Sequence, residues 1–253
     1  MYYIGYDVGS SSIKAAIVKS SSGEVIAVAQ EPQEELAMIS HQAGWAEQEP
    51  DIWWKYICSV TASLLSDTKI NAHEIKGIGI AYQMHGLVVI DNEGRPLRPA
   101  IIWCDGRAVS FGDKALADLG ADKCSNHLLN SPGNFTASKL KWVKENEPEL
   151  YLKIRKFMLP GDYIAYKFSN TINTTVPGLS EGILWDFKSN QISDFLLDYY
   201  GIDRSLIPDI VKTFSVQARV SKEGATASGL KEGTPILYRA GDQPNNALSL
   251  DVF

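Results

Sequence analysis

Tyr2-Tyr3-Ile4-Gly5-Tyr6-Asp7-Val8-Gly9-Ser10-Ser11-Ser12-Ile13-Lys14-Ala15-Ala16-Ile17-Val18 is the stretch on which the fold turns. Apolar residues alternate from Tyr2 to Asp7 and again from Ile13 to Val18, the period of a strand with one buried face. Gly9 to Ser12 between them are turn residues, so the two strands pair as a hairpin. Ser20-Ser21-Ser22-Gly23 makes a second turn before a third strand, Glu24 to Ala29, and the chain therefore opens as an antiparallel meander. Asp7 stands where the first strand enters its turn. Gly9 permits close backbone approach, the Ser10 and Ser11 hydroxyls and exposed amides suit phosphate oxygens in a nest, and Lys14 follows. Asp7 is placed to hold a metal ion or a metal-bound water. The same residues also suit an ordinary Ser-rich hairpin, and the Walker A pattern is absent.

Beyond the meander, Pro50 can open a helix in which Trp53, Ile57, Val60 and Leu64 share one face, which should cover the sheet. Lys76 to Tyr82, Leu87 to Ile90 and Pro96 to Ile102 read as strands. Helices are expected over Ala108 to Leu119, Ser138 to Glu145, Asp162 to Phe168 and Ser193 to Tyr200, making the middle of the chain mainly helical. Ile172 to Gly182, rich in Thr, Asn and Gly, reads as a loop. Ile236 to Arg239 reads as a late strand, and Pro244 suits the first turn of a closing helix. The fold class is α/β, a mixed sheet flanked by helices.

Composition narrows the function classes. The chain has 253 residues, 45% of them hydrophobic, enough for a substantial core. A net charge of -6 leaves no basic surplus for nucleic acid or anionic membrane. No stretch approaches the roughly 20 apolar residues of a membrane helix, and the N-terminus lacks a signal pattern, so a cytoplasmic location is expected. Cys58, Cys104 and Cys124 are widely spaced without a Cys/His cluster, which predicts reduced thiols and no structural zinc.

Three further segments offer chemistry. Gln83-Met84-His85-Gly86 lies between two apolar strands, where Met84 and His85 can either emerge at a sheet edge or pack internally. Gly77-Ile78-Gly79-Ile80-Ala81-Tyr82 lacks the third glycine of a dinucleotide loop. Trp103-Cys104-Asp105-Gly106-Arg107 follows an apolar run; an indole wall with a carboxylate and a guanidinium suits a polyol, although a core Trp beside an Asp-Gly turn fits as well. In Tyr238-Arg239-Ala240-Gly241-Asp242-Gln243, Asp242 stands at a strand-to-helix junction, as a helix cap or as a general base.

These segments, in this order, resemble the FGGY family of carbohydrate kinases over the whole chain. Tyr3-Ile4-Gly5-Tyr6-Asp7-Val8-Gly9-Ser10-Ser11 is similar to the family's phosphate hairpin, and Gln83-Met84-His85-Gly86 to the form found in xylulose kinases. Trp45-Ala46-Glu47-Gln48-Glu49-Pro50, Ile102 to Arg107 and Leu159-Pro160-Gly161-Asp162-Tyr163 match the family as well. The resemblance implies an actin-like ATPase, ribonuclease-H-like fold and an ATP- and Mg²⁺-dependent transfer of phosphate to D-xylulose. It makes Asp242 the catalytic base. Met84, His85, Trp103, Asp105, Arg107 and Gln243 would be sugar-binding residues; Asp7, Gly9, Ser10, Ser11 and Lys14 would hold the nucleotide phosphates, with Mg²⁺ at Asp7. Two segments depart from xylulose kinases: Thr174 to Gly182 replaces a Ser/Asp-rich loop, and Asp242-Gln243 replaces Asp-Asn. A different ketose, sugar acid or polyol, or a non-catalytic sugar-binding lobe, are the alternatives. The chain ends at Phe253, eleven residues past Asp242, so residues 1–253 would be the sugar-binding N-terminal domain. The expected partners are a sugar, a C-terminal nucleotide-binding lobe absent from this chain and, in a homodimer, a second copy.

Overall fold

A computed structural model describes residues 1–251. The meander forms as the alternation predicts: β1 (Tyr2–Val8), β2 (Ile13–Lys19) and β3 (Val25–Glu31) pair antiparallel, with Val8 opposite Ile13 and Ile13 opposite Glu31. Strand Ile75–Tyr82 adds to β1 in parallel, strand Pro235–Gly241 adds to it in parallel, and Ala218–Arg219 closes that edge antiparallel. The result is a six-stranded mixed sheet in the order Ala218–Arg219, Pro235–Gly241, Ile75–Tyr82, β1, β2, β3.

Helix α1 (Pro50–Thr68) starts on its proline and ends at Lys69 in the left-handed region, φ 58°. It buries Trp53, Ile57, Val60 and Leu64, the predicted stripe, into the cluster that holds Ile4, Tyr6 and Ile17 of the meander. Burial of such side chains contributes roughly 1.5–3 kcal/mol each. A second apolar cluster joins the helices Val109–Leu119, Ala121–His127, Thr136–Asn146 and Asp194–Tyr200 around Ala115, Cys124, Leu140, Val143 and Leu196. That cluster is the helical middle of the chain.

Several local readings change. The strand expected over Pro96 to Ile102 shortens to Ala100–Ile101, because Pro96 and Pro99 have no N–H to give a ladder. The Ile172 to Gly182 segment is ordered: Asn173–Thr175 pairs in parallel with Asp209–Val211, and Val176–Glu181 is helical. Thr175 caps that helix by accepting from the Gly178 amide at 3.2 Å, and Pro177 lies in its first turn. Helix Lys222–Ser228 was not expected; its own Ser221 cap accepts from the Gly224 amide at 3.0 Å.

Arg239, on strand Pro235–Gly241, is wholly buried. Its Nε donates to Asp162 at 2.7 Å, Nη1 to Gln217 Oε1 at 3.0 Å and Nη2 to the Asn173 carbonyl at 2.8 Å. One guanidinium thus fixes the strand to helix Pro160–Ser169 and to Asn173–Thr175. Arg239→Met removes the guanidinium partner of Asp162 in the interior. We expect it to lower unfolding free energy by about 3–5 kcal/mol, read from the urea midpoint at unchanged slope.

Candidate active site

Three parallel strands finish at one level: Val8 lies opposite Tyr82, and Tyr82 opposite Gly241. The residues that follow them therefore meet at one edge of the sheet. Asp7 and Asp242, 235 positions apart in sequence, line a single cleft of about 400 Å³ with Gly9, Ser10, Ser11, Ser12, Lys14, Gln83, Trp103, Asn245 and Asn246.

The turn after β1 is tightly closed. The Gly9 amide donates to the Ser12 carbonyl at 3.1 Å, and a Cβ on Gly9 would stand 3.0 Å from that oxygen. Gln48 braces it from behind: its Nε2 donates to the Ser10 carbonyl at 2.7 Å, while its Oε1 accepts from Trp53 Nε1 at 3.1 Å and from Gln83 Nε2 at 3.4 Å. The Trp103 indole N–H reaches the Ser10 hydroxyl at 3.2 Å, so the aromatic wall and the turn are joined. Burial raises the pKa of Asp7, with the charge of Asp242 adding to the rise and Lys14 opposing it.

Met84 and His85 form the adjoining wall. A Cβ on Gly241 would come 2.4 Å from Met84 Cγ and 2.5 Å from Glu181 Oε2, so glycine is what lets the chain approach Asp242 between them. His85 holds a left-handed backbone, φ 62°. Its Nδ1 lies 2.9 Å from the Glu181 carbonyl, which can only accept, so Nδ1 carries the hydrogen and Nε2 is left as an acceptor in the neutral ring. Burial lowers the His85 pKa, against the Glu181 carbonyl bond that raises it. Phe135 packs on the ring edge to face at 4.5 Å. The Glu181 carboxyl is itself buried without a partner of good geometry, and burial pushes its pKa well above the carboxylate range while the neighbouring Tyr82 hydroxyl opposes the rise.

Of the residues singled out in the sequence, Asp7, Gly9, Ser10, Ser11, Lys14, Trp103 and Asp242 line the cleft, and Met84 and His85 adjoin it. Asp105, Arg107 and Gln243 do not. Asp105 is fully buried, accepting from the Ala46 amide at 2.6 Å and pairing with Arg107 Nη2 at 2.6 Å. Arg107 also pairs with Glu47 at 2.6 Å, its guanidinium 3.8 Å from the Trp45 ring centroid and 4.8 Å from that of Trp142. Charges taken from water need such matched partners, and here the partners stand behind the cleft. The pair knits the Trp103 loop to Trp45–Gln48. Gln243 is exposed on the closing helix, its amide donating to Asp242 Oδ1 at 2.8 Å.

Gln48, Gln83, Glu181, Asn245 and Asn246 were not singled out as site residues. Asn245 and Asn246 had a readable signal, since three and four residues after Asp242 share its face of a helix. Gln48 had none beyond its place in the Trp45 to Pro50 segment.

The family model described as "FGGY family of carbohydrate kinases, N-terminal domain" matches residues 2–249. The chain belongs to that family. It is 30% identical over 260 residues to xylulose kinase from Bacillus subtilis, covering 100% of this chain and 50% of the relative. It is 33% identical over 252 residues to xylulose kinase from Staphylococcus xylosus, covering 97% and 49%. The crystal structure of xylulose kinase from Rhodospirillum rubrum superposes with a TM-score of 0.90 at 26% identity, covering 100% of this chain and 51% of that one. The fold is the actin-like ATPase fold that the family resemblance implies. The chain spans about half the length of the curated relatives it matches. Among the described residues, no helix is long and apolar enough to cross a membrane.

Two measurements test the electrostatics. Because its folded pKa is raised, ionised Asp7 costs stability at neutral pH, and that cost disappears as pH falls through the carboxylate range. Asp7→Asn should therefore raise Tm at pH 7, with a gain that shrinks towards pH 4. Imidazole NMR of His85 at pH 7 should show protonated Nδ1 and bare Nε2; the reverse tautomer would contradict the Glu181 contact.

Proposed function

We propose that this chain is the sugar-binding lobe of an ATP-dependent kinase that converts D-xylulose to xylulose 5-phosphate. The observation that carries the reading is the meeting of Asp242 and the Asp7–Ser12 turn in one cleft, a base facing a phosphate nest. Asp242 accepts the proton of the attacking primary hydroxyl as its oxygen forms the bond to the γ-phosphorus and ADP leaves. The Gln243 amide holds one oxygen of that carboxylate, which leaves the other for the hydroxyl. Met84 offers an apolar surface to the sugar's C–H face, His85 Nε2 accepts from a hydroxyl, and the Trp103 indole forms the opposite wall.

The residues present fit ATP and Mg²⁺. Gly9 closes a turn too tight for most side chains, the serines of that turn line the cleft, and Lys14 adds a positive charge. Mg²⁺ commonly takes one or two carboxylates plus phosphate oxygens and water, and Asp7 supplies such a carboxylate. Bound there, it would supply charge neutralisation on the transferring phosphoryl group. The adenine and ribose would rest on a second lobe like that of the longer relatives.

The test uses the parent protein bearing this lobe and a second one. Asp242→Asn should lower kcat about 10²- to 10⁴-fold while xylulose still binds; full activity would remove Asp242 as the base. The 253-residue chain alone should bind xylulose without turning over ATP. In a panel of ketoses, sugar acids and polyols xylulose should bind best, and a better ligand would reassign the substrate, with the Thr174–Gly182 segment as the discriminating element.

A further inference from the structure

Lys139 lies on helix Thr136–Asn146 and is fully buried. Its ammonium donates to two backbone carbonyls, His85 at 2.8 Å and Ile102 at 3.0 Å. The carboxylate that attracts it, Asp105, is itself engaged by the Ala46 amide and the Arg107 guanidinium. A dry ammonium held by carbonyls is costly, and packing alone would be served by Met or Leu. What distinguishes the two carbonyls is where they stand. One belongs to His85 and the other directly precedes Trp103, so they begin the two walls of the candidate sugar site.

Those walls are joined directly one residue pair further back, where Leu87 and Ile101 exchange hydrogen bonds at 2.9 and 3.1 Å. Towards the cleft the Ile102 amide turns away to the Ala46 carbonyl, at 3.1 Å. From there the connection runs through Lys139. The same helix supports the loop once more, with the Thr136 hydroxyl 3.3 Å from the Gly86 carbonyl.

We propose that Lys139 is a positioning residue for sugar binding, its ammonium setting the separation between the Met84–His85 loop and the Trp103 loop. The inference rests on the sugar-binding reading above. Burial lowers the Lys139 pKa to about 8, with Arg107 adding to the fall and Asp105 and Cys104 opposing it. At neutral pH the brace keeps its charge; as pH rises through that value its hydrogen bonds lose charge assistance. The His85 ring, whose pKa is lowered, stays neutral over that range, and burial raises the Cys104 thiol.

Lys139→Met and Lys139→Arg in the 253-residue chain test this, with xylulose affinity from calorimetry and NMR of the Met84 methyl and His85 imidazole. Folded Lys139→Met should bind xylulose about 10-fold or more weakly with both signals shifted, and Lys139→Arg, which keeps donors for both carbonyls, should recover most of the affinity. Affinity within about 2-fold of wild type in folded Lys139→Met overturns the proposal. If that variant does not fold, wild type and Lys139→Arg compared over roughly pH 6.5 to 9.5 decide. Wild type should show weakening affinity and moving Met84 and His85 signals near pH 8 that Lys139→Arg lacks; a flat wild type, or the same step in both, overturns it. Wild type that binds no xylulose overturns the sugar-binding reading and this inference with it. Wild type that binds while the variants behave alike overturns only the role of Lys139.

Discussion

The common ending of three parallel strands is the constraint from which the rest of the site follows. Parallel pairing of β1 with Ile75–Tyr82, and of that strand with Pro235–Gly241, puts Val8, Tyr82 and Gly241 side by side. Carboxyl ends of parallel strands leave a crevice by geometry alone, because each chain must depart in a different direction. Here they depart into a hairpin turn, a loop against the helical middle, and a closing helix. Asp7, Gln83 and Asp242 then reach the same space without any of them choosing it individually.

Behind that crevice lies a second layer of buried polar groups. Gln48 joins the Ser10 carbonyl to Trp53 and Gln83, Arg239 joins three elements, and Asp105 with Arg107 joins the Trp103 loop to Trp45–Gln48. Such groups are expensive to dehydrate and weak as sources of net stability, but they tolerate few alternative geometries. The loops at the crevice are therefore irregular in backbone yet fixed in place. His85 illustrates this, since its left-handed backbone is held from its ring by Glu181 and from its carbonyl by Lys139.

Local patterning carried most of the fold. The meander and α1 were legible because period and burial coincide: Trp53, Ile57, Val60 and Leu64 recur at helical spacing and face one cluster. The Thr174–Gly182 segment was not, because threonine and glycine read as loop while the strand beside Asp209–Val211 is a tertiary fact. Asp7, Trp103 and Asp242 were legible as cleft residues from their positions at strand ends. Asp105 and Arg107 looked equally suited to a sugar, since an Asp-Gly-Arg string is the same whether its charges face a cleft or Trp45. Lys139 was invisible, because a lysine on a helix that also bears Lys141 and Lys144 reads as one more solvated side chain.

The sheet order also bears on how the chain is made. Strand Pro235–Gly241 comes last among the long strands but pairs with Ile75–Tyr82 near the centre of the sheet. While the chain leaves the ribosome, one edge of Ile75–Tyr82 therefore stays unpaired throughout synthesis of the helical middle. An apolar strand with an open ladder is a template for wrong partners, and long-range closures of this kind are slow. The early meander and α1 meet in one apolar cluster, yet Asp242 arrives only after the last of these strands. Closure of the crevice is thus withheld until strand Pro235–Gly241 has been made.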